Sequence, residues 1–133
     1  MYVAHVGDSR CYLIRAGQIS QLTRDHSLLN DYLLVMPDMS AEQQAELPKN
    51  VITRALGMQD SVTVDLVPAQ PKVGDRFLLC SDGLSGMVTD EEICDIVTEA
   101  GDDLDLAAKR LIECANEHGG EDNCTVVLVG ITG

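Results

Sequence analysis

Hydrophobic and polar residues alternate in several short stretches of this chain, a period that is typical of half-buried β-strands. Others are almost continuously apolar, which is typical of strands in the middle of a sheet. Turn residues bound the stretches, so we predict strands over residues 2–6, 11–15, 19–23, 61–69, 76–81 and 124–131. The four residues "GDSR" between the first two predict a hairpin or a tight strand connection.

Helical spacing replaces this alternation in the last third of the chain. Thr89 and Glu92 form a capping box, and the apolar residues that follow share one helical face. A second run over residues 104–115 repeats the same spacing and ends before Gly119 and Gly120. We therefore predict two consecutive amphipathic helices before the last strand.

The segment at about 27–50 has a different character. The stretch "HSLLNDYLLVM" predicts a helix that ends at Pro37, and Ser40 with Gln43 predicts a capping box for a second short helix. We interpret this segment as a partly helical insertion. The order of strands, insertion, strands, two helices and strand does not alternate as βαβ units would, which favours an antiparallel α+β fold.

The charge balance bears on possible ligands. The 133 residues carry 22 acids against 9 bases, a formal net charge of −13. Nucleic acid is excluded as a ligand, since phosphate backbones attract Lys and Arg. The acids form either a solvated surface or a site for divalent cations. No segment is long and apolar enough to cross a membrane, and no signal-like segment follows Met1, so we expect a cytoplasmic protein without membrane contact.

The five cysteines are odd in number and include no C-x-x-C pair, which argues against a disulfide framework or a zinc site. Each lies in an apolar pattern, so we expect buried free thiols. The three histidines are too scattered along the sequence to indicate a metal set, and we expect His5 to be a packed side chain.

Three aspartates stand at the ends of strongly apolar strands: Asp8 in "VGDSR", Asp82 in "SDG" and Asp122 in "EDN". Each alone is a common turn residue. Together, and with the acidic balance, they also fit a metal site, because the ends of central strands can converge on one edge of a sheet. Carboxylate oxygens favour Mg²⁺ or Mn²⁺ over Zn²⁺.

Other catalytic arrangements are excluded by spacing. No cysteine is followed six residues later by an arginine, as a cysteine-dependent phosphatase requires. Neither a G-x-S-x-G elbow nor a G-x-x-x-x-G-K-[ST] phosphate loop occurs. Asp82 does not begin a D-x-D phosphotransfer motif, because Leu84 occupies the third place of that motif.

Four stretches in order, "VGDSRCYLIRAGQISQLTRDHS", "VITRALG", "GDRFLLCSDGLSGMVTDEEI" and "EDNCTVVLV", together resemble the bacterial metal-dependent protein phosphatases (PPM, type 2C). The resemblance covers nearly the whole chain. It implies an α+β fold in which an antiparallel β-sandwich is flanked by α-helices. It also implies hydrolysis of phosphoserine or phosphothreonine in a phosphoprotein by a metal-activated water, without a covalent intermediate. A Ser/Thr kinase is one partner that the resemblance suggests.

The resemblance also assigns roles to residues. Asp82 and Asp122 resemble the carboxylates that hold one metal of a binuclear Mg²⁺ or Mn²⁺ centre, and Asp8 resembles the ligand of a weaker third ion. The insertion occupies the place of the flap beside the active site. The flap residues that would lie near the substrate are Ser27, Asn30, Asp31 and Ser40.

Family members carry roughly a hundred residues before the point that matches Met1, so the resemblance identifies residues 1–133 as the C-terminal part of the domain, with an incomplete fold. In the family, the preceding part supplies an arginine for the phosphate, an acidic ligand of the second metal, a bridging aspartate and, in many members, a histidine general acid. We therefore assign no catalytic residue within this chain.

Three expectations follow from the lack of a counterpart to this preceding part of the family. We expect the chain alone to bind metal weakly or not at all and to hydrolyse little or nothing. We also expect self-association through exposed sheet edges. The alternative function is a non-catalytic binding or regulatory fragment derived from a phosphatase.

Overall fold

Strands and helices alternate in blocks in the computed structural model, which describes residues 1–48 and 51–133. The strands of these residues are β1 (Tyr2–His5), β2 (Arg10–Arg15), β3 (Gln18–Gln21), β4 (Asp65–Pro68), β5 (Arg76–Cys80) and β6 (Val126–Gly130). The helices are α1 (Leu28–Val35), α2 (Ala41–Glu46), α3 (Asp82–Ser85), α4 (Asp90–Ala100) and α5 (Leu104–Glu117). None of these helices has the length and apolar character that a membrane span requires.

The strands form two antiparallel sheets. One has four strands in the order β3-β2-β5-β6, and the other pairs β1 with β4. Because β1 and β2 lie in different sheets, the segment between them is a tight connection and the hairpin alternative is wrong. The physical reason is a contact with a later segment: the Gly7 N–H donates to His26 Nδ1 at 3.0 Å, and the His26 N–H donates to the Gly7 carbonyl at 2.9 Å.

One face of the four-stranded sheet packs against the two long helices. Leu78 lies opposite Tyr12 on β2 and Leu128 on β6, and it is fully buried. Ile93 and Leu111 bring α4 and α5 onto this face and are also fully buried. Burial of a side chain of this size stabilises the fold by about 1.5–3 kcal/mol. The predicted helical faces therefore form the core.

The opposite face of the same sheet meets the two-stranded sheet. A cavity of about 370 Å³ lies between the sheets, and residues of both sheets line it, among them Val3, Cys11, Leu79 and Val127. Leu79 is 42% exposed and Val127 53% exposed. The two-layer antiparallel arrangement with helices on an outer face agrees with the predicted fold class, and much of the inner face remains accessible.

Both predicted capping boxes are present. Ser40 caps α2 with Gln43, and Thr89 caps α4 with Glu92. The predicted insertion contains α1 and α2, and its last two positions, 49 and 50, lie outside the described residues. The short helix α3 was not predicted, because residues 82–85 read as a turn.

Candidate metal centre

Asp82 is the first residue of α3 and lies two positions after the last residue of β5. Ser81 is the N-cap of this short helix, and Asp82 occupies its first turn. The next residue must be small, since a Cβ on Gly83 would lie 2.1 Å from the carbonyl oxygen of Asn123. The "SDG" stretch therefore lets the backbone that carries Asp82 approach the segment that carries Asp122.

Ser81 holds these two segments together. Its N–H donates to the Thr125 carbonyl at 3.0 Å, and its Oγ accepts the Thr125 N–H at 3.0 Å. The same hydroxyl donates to the Asn123 carbonyl at 3.3 Å. The pairing of β5 with β6 thus continues past the strand ends and fixes the segment that follows Asp122.

The carboxylates of Asp82 and Asp122 are close neighbours. Burial raises the pKa of Asp82 above its ordinary value, and the charges of Asp8 and Asp122, with a side-chain hydrogen bond to Asp122, raise it further. Asp122 Oδ1 accepts the N–H of Asn123 at 2.7 Å, which orients this carboxylate. Negative charge is therefore concentrated at this point, and a divalent cation would relieve the repulsion.

Asp8 follows Gly7 in the connection between the sheets. Gly7 has a φ of +107°, a conformation that favours glycine. A polar network supports this backbone: His26 Nε2 lies 2.8 Å from Asp65, whose other oxygen accepts from Arg54 at 2.9 Å. Asp8 is therefore presented by an ordered turn.

The network also fixes the tautomer of His26, which is 2% exposed. Because Nδ1 accepts the Gly7 N–H, the proton of the neutral ring lies on Nε2 and is donated to Asp65. His5 stacks on this ring at 4.6 Å between centroids, and its Nε2 contacts the Arg24 carbonyl at 2.8 Å. His5 is a packed side chain as predicted, but His5 and His26 are neighbours, which their sequence separation did not suggest.

A cleft of about 360 Å³ brings the three predicted aspartates together. It is lined by Asp8, Arg10, Asp25, Asp82, Gly83, Ser85, Gly86, Met87, Glu121 and Asp122. Five of these residues are acids and one is a base. The donor set is carboxylate oxygen, as Mg²⁺ and Mn²⁺ prefer, so the residues present fit such ions.

The spacing of these carboxylates exceeds the ligand shell of a single ion. Among the described residues, the groups of three ligand atoms that all lie within 4.8 Å of one another are His5–His26–Asp65 and Glu92–Cys114–His118. The three aspartates of the cleft are not such a group. Both Asp8 and Asp122 are close enough to Asp82 for their charges to raise its pKa, so the three carboxylates suit more than one ion.

The base in the cleft is already paired. Arg10 donates through Nη2 to Asp25 Oδ2 at 2.7 Å and through Nε to Asp25 Oδ1 at 3.0 Å. Its Nη1 donates to the Tyr12 hydroxyl at 2.8 Å, and that hydroxyl donates to Asp90 at 2.9 Å. Sequence reasoning missed Arg10 and Asp25 as cleft residues, although both lie inside the first stretch that carries the resemblance.

The predicted flap residues lie outside the lining of this cleft, within the part of the chain that the structure describes. Ser27 caps α1 by accepting the Asn30 N–H at 3.3 Å, and Ser40 caps α2. Asn30 Nδ2 donates to the Asp25 carbonyl at 2.9 Å, which ties α1 to one wall of the cleft. Asp31 lies in the first turn of α1. Their place beside a substrate stays a prediction.

Comparison with known proteins adds independent findings. Residues 1–31 and 51–124 match the family described as Protein phosphatase 2C. Protein phosphatase PhpP of Streptococcus pneumoniae is 44% identical over 130 residues, which are 96% of this chain and 52% of that protein. The chain thus spans about half the length of the curated relatives it matches.

Solved structures agree with this match. The serine/threonine phosphatase of S. agalactiae superposes with a TM-score of 0.86 at 39% identity, covering 96% of this chain and 52% of that one. The catalytic domain of the serine/threonine phosphatase PstP in complex with two manganese ions superposes with a TM-score of 0.78 at 36% identity, covering 99% and 54%.

Proposed function

The chain belongs to the Protein phosphatase 2C family, and we propose that it supplies metal-binding carboxylates for the hydrolysis of phosphoserine or phosphothreonine in proteins. The observation that carries this proposal is the convergence of Asp8, Asp82 and Asp122 on one acidic cleft. The names of the relatives, which are serine/threonine phosphatases, support the substrate class.

In this proposal Asp82 and Asp122 hold one divalent ion, and Asp8 is a ligand of another. The bound ions would supply Lewis-acid stabilisation of the phosphoryl oxygens and a water activated for attack near neutral pH. The two manganese ions of PstP support Mn²⁺, and the carboxylate donors suit Mg²⁺ equally. We propose two or three ions for a complete domain of the family.

Residues next to the cleft position these carboxylates. The Asn123 N–H orients Asp122, and Ser81 keeps its segment beside Asp82. The guanidinium of Arg10 is paired with Asp25 by three hydrogen bonds, so it supports the wall of the cleft and is not the group that binds phosphate. In this proposal, the phosphate of the substrate is bound by a cationic group other than Arg10.

The test measures Mn²⁺ binding by electron paramagnetic resonance and phosphate release from a phosphothreonine peptide. We expect Asp82→Asn to weaken Mn²⁺ binding at least about tenfold and to abolish any Mn²⁺-dependent turnover. Asp60→Asn, at an exposed position away from the cleft, is the matched control and should change neither quantity.

Two outcomes would count against parts of the proposal. If Asp82→Asn binds Mn²⁺ as the unmodified chain does, the ligand role of Asp82 is wrong. The chain should turn over at least about a hundredfold more slowly than intact PhpP, because the chain spans half of that protein and positioning groups are expected to be absent. Turnover comparable to that of intact PhpP would contradict this second expectation. Mn²⁺ binding without turnover is expected both of a phosphatase part and of the non-catalytic binding or regulatory fragment.

We further propose a phosphoprotein substrate, with a Ser/Thr kinase as one partner, and a cytoplasmic location. The free state of all five cysteines supports a reducing compartment. Three of them, Cys11, Cys80 and Cys94, are buried, while Cys114 and Cys124 are partly accessible.

A further inference from the structure

A second group of potential ligands lies on the helical side of the molecule, apart from the acidic cleft. Glu92 is in the first turn of α4, Cys114 is in the last turn of α5, and His118 is the C-cap of α5. Cys114 and His118 are four positions apart, a spacing that places two side chains on the same face of a helix. Glu92 reaches them from the neighbouring helix.

Two of the three distances in this group are close to those of a tetrahedral ligand shell. Cys114 Sγ lies 3.6 Å from Glu92 Oε2, and His118 Nε2 lies 3.1 Å from the same oxygen. All three ligand atoms lie within 4.8 Å of one another. With ordinary zinc bond lengths, a tetrahedral site has sulfur–oxygen and nitrogen–oxygen separations of about 3.6 and 3.4 Å. The two separations that involve Glu92 Oε2 therefore lie within about 0.3 Å of those of a tetrahedral zinc site.

The carboxylate of Glu92 is oriented before any ion binds. Its Oε1 accepts from the Thr89 hydroxyl at 3.1 Å and from the Thr89 N–H at 3.4 Å, as part of the capping box of α4. Its Oε2 is therefore turned toward Cys114 and His118. Hydrogen bonds of this kind, which hold a ligand in place from behind, are common in metal sites.

The other group of three ligand atoms is a poor cation site. In His5–His26–Asp65, the guanidinium of Arg54 lies 3.2 Å from His26 Nε2 and 2.9 Å from Asp65, so a positive charge already occupies that region. In the described part of the chain, the ion-pair partner of Glu92 is His118 itself. The Glu92 and His118 side chains are 39% and 44% exposed, so an ion can reach them.

We propose that Glu92, Cys114 and His118 form a site for a borderline-soft divalent ion of the zinc class. A thiolate and an imidazole select such ions over Mg²⁺ and Mn²⁺, which the cleft suits. The three side chains leave one position for water, and binding requires the Cys114 thiol to lose its proton to solvent. The ion would join the beginning of α4 to the end of α5.

The test titrates the full chain with Co²⁺, a spectroscopic substitute for Zn²⁺, in the Asp82→Asn background so that the cleft contributes less. We expect a thiolate-to-metal charge-transfer band at one Co²⁺ per chain, displaced by Zn²⁺ and retained in excess Mg²⁺. Cys114→Ser should abolish the band. Cys124→Ser, which alters the other partly accessible cysteine, should leave it unchanged.

Two further variants protect the test against misfolding, which far-ultraviolet circular dichroism will monitor. His118→Gln is at an exposed C-cap, and Glu92→Gln keeps an oxygen for the capping box. Each should weaken Co²⁺ binding at least about tenfold while helix content is unchanged. Co²⁺ binding without a thiolate band, a band that survives Cys114→Ser, or unchanged affinity in both conservative variants would overturn the proposal.

Discussion

Gly83 and Asn123 are in backbone contact: a Cβ on Gly83 would lie 2.1 Å from the Asn123 carbonyl oxygen. This contact sets how closely the segments that carry Asp82 and Asp122 approach each other. It also explains why a glycine directly follows the aspartate at the end of β5.

Gly83→Ala should therefore separate the two segments. We expect the free energy of unfolding to fall by about 1–3 kcal/mol, because the new methyl group meets backbone that cannot move aside without loss of hydrogen bonds. Mn²⁺ affinity should fall as well. Urea unfolding and a Mn²⁺ titration measure the two effects, and unchanged values in both would show that the contact is not a constraint.

Asp82→Asn should stabilise the metal-free chain. The pKa of Asp82 is raised in the folded state, so folding disfavours the charged carboxylate. The fold therefore loses stability as the pH rises above the ordinary pKa of an aspartate and this side chain ionises. The neutral amide removes that cost, so we expect Asp82→Asn to be more stable than the unmodified chain at pH 7. Urea unfolding with a chelator present measures it. A loss of stability, or an equal gain in Asp60→Asn, would contradict this explanation.

Tyr12→Phe should destabilise the wall of the cleft. The Tyr12 hydroxyl accepts from Arg10 and donates to Asp90, and the residue is fully buried. Its removal takes this partner from Arg10 Nη1 and from Asp90. Because Arg10 is 26% exposed and Asp90 is exposed, water can replace the hydroxyl in part, so we expect a cost of about 0.5–1.5 kcal/mol. Chemical denaturation measures the change. Burial, with Asp90, also raises the pKa of Tyr12 to about 12, so the phenolate absorption of this residue should develop only at strongly alkaline pH.

The Arg15–Asp75 pair should make the fold sensitive to acid. Arg15 Nη2 lies 2.6 Å from Asp75, and its hydrogen bonds lower the pKa of Asp75 to about 2. A lowered pKa stabilises the fold above the ordinary value of 3.8, and this stabilisation is lost as the pH falls toward about 2. We expect Tm to drop across that window, and less steeply in Asp75→Asn. Equal slopes in both proteins would assign the acid sensitivity to other carboxylates.

Self-association should depend on the exposed face near β6, which is at one edge of the four-stranded sheet in the described part of the chain. Val127 is 53% exposed there, beside the cavity between the sheets. Val127→Lys should reduce the average mass in light scattering at high concentration, since a charge disfavours edge pairing. Leu56→Lys, at an 80% exposed position outside the sheets, is the control. A monomer before any substitution would refute this prediction.

Sequence periodicity was enough to predict most elements, because the apolar patterns of β5, α4 and α5 correspond to the faces that are buried. The convergence of the strand-end aspartates could also be predicted. Asp82 follows β5 and Asp122 precedes β6, and these two strands are neighbours in the sheet. The separation of β1 from β2 was not readable. It depends on hydrogen bonds between Gly7 and His26, whose positions are far apart in the sequence.

Two groups of the site region illustrate the same limit. Arg10 and Asp25 are separated by 15 positions, and only the pairing of β2 with β3 brings them into contact. The four-residue spacing of Cys114 and His118 is visible in the sequence, but Glu92 joins them from another helix. Local patterns predict elements, whereas contacts between elements require the packed fold.

The hydrogen bonds of Ser81 to Thr125 have a consequence for the time course of folding. These residues are 44 positions apart, and the segment between them contains α3, α4 and α5. Closing so long a loop is slow compared with forming the helices themselves. Asp82 and Asp122 should thus come together late, after the helical hairpin has formed. During refolding, we expect the signal of bound Mn²⁺ to appear only after the helical circular dichroism signal. Mn²⁺ binding would then report on the last step of folding.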